Sequence, residues 1–151
     1  MQTEIGFYHL TRTALEPALG RLLERVLESG LRAVVRASSA ERVEALNRAL
    51  WLFGRDSFLP HGSRADGEPE SQPVFLTDQD DVPNGATVLV LVDGAEVEPP
   101  AQFSRCLFLF DGNDPTAVEQ ARAAWRRWRA QGADVTYWQQ AERAWRKVSV
   151  E

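Results

Sequence analysis

The sequence predicts a three-layer α/β domain, a mostly parallel central sheet flanked by helices. Three observations point to it. Strand-like and helix-like patterns alternate along the chain, in the order β-α-β-α-β-β-β-α-β. The runs VLVLV at 88–92 and CLFLF at 106–110 are continuously apolar rather than alternating, as in strands covered on both faces. The 151 residues are 44% hydrophobic and 26% charged, ordinary for a single domain that needs neither disulfides nor a structural metal to fold.

The first strand is the apolar, aromatic run IGFYHL at 5–10. Leu15, Ala18, Leu19, Leu22 and Val26 then recur at helical spacing, widened by Leu23 and Leu27, and Gly30 stops the pattern. RAVVR at 32–36 reads as a second strand. Ser38 or Ser39 offers an N-cap for a second helix on Val43, Leu46 and Leu50, ending near Trp51. From 54 to 72 the periodicity lapses into a long polar loop broken by Phe58, Leu59 and Pro60. Strands are expected at 73–77 and 87–92, separated by an acidic turn with Asn84-Gly85, and at 105–110. The last long helix runs over 114–131, with Asp114 as N-cap, Pro115 at its first position and Gly132 at its stop. A final strand at 135–138 leaves 139–151 as a polar tail with an isolated Trp145. The whole chain, 1–151, reads as one domain, with 62–72 and 141–151 the segments expected to be flexible.

Several kinds of chemistry are excluded. Neither G-x-G-x-x-G nor G-x-x-x-x-G-K-[ST] occurs, and the turn after the first strand, TRTALEP, contains no glycine, so no nucleotide cofactor is expected there. Asp111-Gly112 follows a strand, where such pairs commonly serve the turn itself. His9 and His61 are not spaced as a ligand pair. Cys106 lies inside CLFLF as a buried apolar thiol, and a lone cysteine makes neither an internal disulfide nor a Cys-based zinc site. No triad or carboxylate pair assembles, and no metal or cofactor is expected. With no charged-then-apolar leader and no run long enough to span a membrane, a cytoplasmic location is expected.

Charge is distributed unevenly. Residues 122–147 hold seven of the 17 basic residues and two acids, a local +5, so the remainder of the −5 chain carries −10. Four of the five tryptophans, Trp125, Trp128, Trp138 and Trp145, lie in the same stretch. On the last helix, Val118, Ala121, Trp125 and Trp128 share a face, with Arg122, Arg126 and Arg129 beside them. Such a stripe can be core with a solvated basic edge. It can also take up an apolar group and clamp a carboxylate, since guanidinium binds carboxylate bidentately and stacks on aromatic rings. Trp51, Phe53, Phe58, Leu59 and Pro60 form a second apolar group, either closing a satellite core or forming an exposed docking patch. Direct binding of single-stranded nucleic acid by the Trp/Arg patch is the alternative to a protein partner, with the −10 remainder against it.

FYHL at 7–10, ALWLFGRDSFLPH at 49–61, QPVFLT at 72–77, RCLFLFDGND at 105–114, ARAAWRRWRAQG at 121–132 and VTYWQQ at 135–140 resemble, in order and spacing, the chi subunit family of the bacterial DNA polymerase III holoenzyme. The resemblance implies a Rossmann-like fold and a non-catalytic accessory subunit of the clamp-loader complex. Such a subunit pairs with the psi subunit and binds the acidic C-terminal tail of single-stranded DNA-binding protein, linking the replicase to the lagging strand and touching nucleic acid only indirectly. It further implies psi-binding residues at Trp51 and Phe58, with Leu59 and Pro60 beside them. The tail-binding pocket falls at Arg122, Trp125 and Arg126, with Arg129 attracting the tail's acids.

Overall fold

The computed structural model describes residues 3–52, 59–94, 103–140 and 145–148. The chain runs β1 (Glu4–Leu10), α1 (Leu15–Glu28), β2 (Ala33–Arg36), α2 (Ala40–Leu52), β3 (Gly62–Ser63), two 3-10 turns (Arg64–Asp66 and Pro69–Ser71), β4 (Val74–Thr77), β5 (Val88–Leu91), β6 (Arg105–Asp111), α3 (Pro115–Ala130), β7 (Asp134–Gln140) and β8 (Trp145–Val148). The eight strands form one sheet in the order β3-β4-β2-β5-β6-β1-β7-β8, parallel throughout except for the antiparallel β7–β8 pair.

Strand parity assigns the two faces. Tyr8, Val35, Val90, Leu107 and Leu109 pack with the apolar stripes of α1 and α2. Phe7, Val34, Leu89, Phe108 and Phe110 pack with Ala121, Ala124 and Trp128 of α3. The continuous apolar runs of β5 and β6 thus supply both clusters at once. Ser39 is the N-cap of α2, its hydroxyl accepting from the Arg42 N–H at 3.2 Å. The Asp114 carboxylate accepts from Thr116 N–H at 3.0 Å at the start of α3, and Gly132 follows the helix at φ +82°, a conformation open to glycine. Cys106 is buried and its thiol is pushed up to about 12 by that burial, consistent with packing rather than reactivity.

Two readings of the sequence differ from the structure. The loop over 54–72 contains β3 and both 3-10 turns, the first closed by reciprocal capping between Ser63 and Asp66. The tail over 139–151 contributes the end of β7 and the whole of β8, so Trp145 is not isolated: its ring meets Tyr8 edge-on at 5.0 Å. Strands of two and four residues are too short to show a period, and β8 carries two cations among its four residues. Both are the edges of the sheet, where short and charged strands discourage further pairing.

Trp128 has no exposed surface, and among the described residues its indole N–H has no hydrogen-bond partner. Trp128→Ala is therefore expected to cost about 3–5 kcal/mol in denaturant unfolding. Trp128→Phe, which fills most of the volume and removes the unpaired donor, should cost clearly less.

Candidate functional site

The helix α3 decides where its side chains go. At about 100° per residue, Ala124, Trp128 and Ala121 fall within a narrow stripe, Trp125 and Val118 roughly 60–80° from Trp128, and Arg129, Arg122 and Arg126 roughly 100–160° away. The stripe is buried, Trp125 and Val118 are half-buried at its border, and the three arginines are exposed. The face expected from the sequence is thus divided: Trp128 belongs to the core, and Trp125 stands at the edge.

Beneath that edge lies a cleft of about 620 Å³ lined by Phe7, His9, Phe110, Val118, Trp125 and Tyr137, with Arg122, Arg126 and Arg129 on its rim. Trp125 meets Phe7 at 5.3 Å and Tyr137 at 6.0 Å between ring centroids, both edge-on. His9 stacks on Phe110 at 4.9 Å, and its Nδ1 is hydrogen-bonded to the Tyr137 hydroxyl at 2.5 Å. Burial, with the Arg122 charge added to it, holds the His9 pKa below its ordinary 6.5, against a smaller opposing effect of Asp111. Gly112 makes this packing possible, because a Cβ there would lie 2.0 Å from His9 Nε2 and 2.7 Å from the Leu10 carbonyl oxygen. Asp111 serves the same turn, accepting from Asn113 N–H at 2.9 Å.

The ion pairs among the described residues join Arg36 to Asp80, Arg42 to Glu16 and Asp93, and Arg64 to Asp81. Arg122 and Arg126 take part in none of them. An apolar, aromatic slot with two guanidiniums at its mouth that enter no ion pair among the described residues is suited to an apolar group that carries a carboxylate. The sequence locates the helix side of this cleft but not its floor. Phe7, His9, Phe110 and Tyr137 lie on three different strands, and only the β6-β1-β7 order brings them together.

The place where many α/β proteins hold a phosphate is filled from within. In the turn after β1, the backbone N–H groups of Thr11, Arg12 and Thr13 all donate to Gln140 Oε1, at 3.1, 2.8 and 3.1 Å. Gln140 Nε2 donates in turn to the Thr13 hydroxyl at 2.8 Å. Among the described residues, no group of three or more His, Cys, Asp or Glu side chains is placed to hold a metal ion.

A second surface lies at the end of α2. Trp51 is 64% exposed and Leu52, which the sequence reading passed over, is 77% exposed. Leu59 is 6% exposed and packs in the core, Pro60 is half-buried, and Phe58 lies outside the described residues, as does Phe53. Leu59 therefore anchors the segment rather than offering a surface. His61 fixes it further, its two ring nitrogens lying 2.7 Å from Leu59 O and 3.2 Å from Asn47 O and its ring 4.5 Å from that of Trp51.

The family described as DNA polymerase III chi subunit, HolC, matches residues 1–136. The chain belongs to that family. It is also similar to the probable DNA polymerase III subunit chi of Rickettsia prowazekii (strain Madrid E), 31% identical over 107 residues, which make up 71% of this chain and 65% of that protein. The chain thus spans less than two thirds of that curated relative's length. The chi-family match takes in the whole of α3 and ends before Tyr137 and β8. Among the described residues no helix is long and apolar enough to cross a membrane.

The chi-family cleft makes an electrostatic prediction. The His9 imidazole should titrate below 6.5 in an NMR pH series, and Arg122→Ala should move that midpoint upward by removing a repelling charge. Because the depressed folded-state value favours the neutral ring, its contribution to stability is present above pH 6.5 and is lost as the pH falls through the folded-state value.

Proposed function

We propose that this chain is a non-catalytic accessory subunit of the replicative DNA polymerase III, acting in the cytoplasm within the clamp-loader complex. It pairs one-to-one with the psi subunit and holds the acidic C-terminal tail of single-stranded DNA-binding protein, linking the replicase to the lagging strand. The cleft beneath α3 carries the reading. As the family resemblance implies, the tail ends in Pro-Phe with a free carboxylate. Trp125, Phe7 and Tyr137 suit the apolar end, Arg122 or Arg126 the carboxylate, and Arg129 the acids before it. For psi, Trp51 and Leu52 provide exposed apolar surface, and the family resemblance adds Phe58, with Leu59 and Pro60 beside it in the sequence. Helices on both faces of a mostly parallel sheet agree with a three-layer, Rossmann-like description.

Direct binding of single-stranded nucleic acid is the weaker reading, because its stacking platform is not continuous. Trp128 is inside the core, and Trp138 stacks on Tyr8 on the α1 side, opposite to Trp125. A nucleotide-dependent activity would have to displace Gln140 from the turn after β1.

The test is an anisotropy titration with a synthetic acidic peptide ending in Pro-Phe. Arg122→Ala or Arg126→Ala should weaken binding about tenfold or more, the value of a charge-assisted hydrogen bond, and leave psi binding intact. Trp51→Ala should do the reverse, and added salt should weaken the peptide complex. Wild-type peptide affinity in both arginine variants would contradict the assignment, as would tight binding of an oligonucleotide without any protein partner.

A further inference from the structure

Next to β7, on the side away from β1, runs a strand beyond the family match. In the β7–β8 ladder Tyr137 opposes Val148 and Gln139 opposes Arg146. Opposed residues point to the same face of a sheet. Tyr137 packs on the α3 side, so Gln139, Arg146 and Val148 share that side, whereas Trp138 packs with the α1 cluster. Arg146 is exposed, and its guanidinium donates to Gln139 Oε1 at 3.3 Å. That acceptor is neutral, and Arg146 takes part in none of the ion pairs among the described residues.

A groove of about 550 Å³ between α3 and the end of β8 shares Trp125, Arg129 and Tyr137 with the cleft and reaches Lys147 and Val148, with Arg146 two positions further along the strand on the face of Tyr137. The acid that borders it, Asp134, starts β7, five positions from the residue opposite Arg146 and so roughly 17 Å along the strand. Strands lie about 4.8 Å apart, so two or three extended peptide residues leaving the cleft over Tyr137 reach β8.

We propose that β8 is the second wall of the peptide site, and that Arg146 binds the carboxylates of an acidic stretch whose apolar, carboxylate-bearing end occupies the cleft. This rests on the tail-binding reading above. Arg126 and Arg129 on one rim and Arg146 on the other then hold the acidic stretch between helix and sheet edge. The apolar floor selects the end of the peptide, and the two rims select the charge that precedes it.

The experiment compares two labelled peptides with the same apolar, free-carboxylate end, one with acidic residues upstream and one with Asn and Gln in their place. With the full chain, Arg146→Ala should weaken the acidic peptide roughly two- to fivefold, the range of an exposed ion pair, and leave the neutral peptide unchanged. Arg146→Glu should weaken the acidic peptide further and again spare the neutral one. Arg122→Ala should weaken both. Equal effects of the Arg146 variants on the two peptides, or none on either, would overturn the role of Arg146. Failure of the wild-type chain to bind either peptide would instead remove the tail-binding reading on which it rests.

Discussion

The burial of Trp128 sets the arrangement of everything around the cleft. Its side chain is the largest with no solvent exposure, held by Phe7 at 5.7 Å and Phe108 at 6.0 Å between ring centroids. With that ring fixed in the core, the rotational phase of α3 is fixed too. Trp125 is placed at the border, close enough to Phe7 and Tyr137 to complete an aromatic wall. Arg122 and Arg126 follow on the exposed side. A helix rotated by one residue would bury an arginine or lift Trp125 away from the sheet, and burial of an unpaired cation makes the first alternative costly.

The same sheet explains why the site lies under a helix rather than at the strand ends. In open α/β sheets the ligand crevice is commonly outside the carboxyl ends of the strands. Here the N–H groups of the turn after β1 are occupied by Gln140, a residue of β7. β7 thereby closes one potential site and, through Tyr137, helps to build another. Among the described residues, the basic side chains of the +5 stretch of the sequence lie on α3 and on β8.

The parts of this architecture that repeat over ten or more residues were legible in the sequence. The stripes of α1, α2 and α3, the Asp114-Pro115 start and the Gly132 stop all correspond to elements observed. β3 and β8 were not legible, because two and four residues do not establish an alternation. The α3 side of the cleft could be read from helical spacing alone. Its floor required knowing that β1 lies between β6 and β7, a long-range fact that spacing does not contain. Leu59 illustrates the converse: the sequence leaves core and patch both open for its apolar group, and only the fold buries Leu59 while exposing Trp51 and Leu52.

The central claim is that one concave surface between α3 and β7–β8 receives an acidic, apolar-ended peptide, separately from the surface at the end of α2. Chemical-shift mapping of the isotopically labelled chain during titration with such a peptide tests it most directly. The account predicts that perturbations concentrate at His9, Val118, Arg122, Trp125, Arg126, Tyr137 and Arg146, with Trp51 and Leu52 unmoved. Perturbations centred on Trp51 and Leu52, with the α3 residues silent, would contradict it.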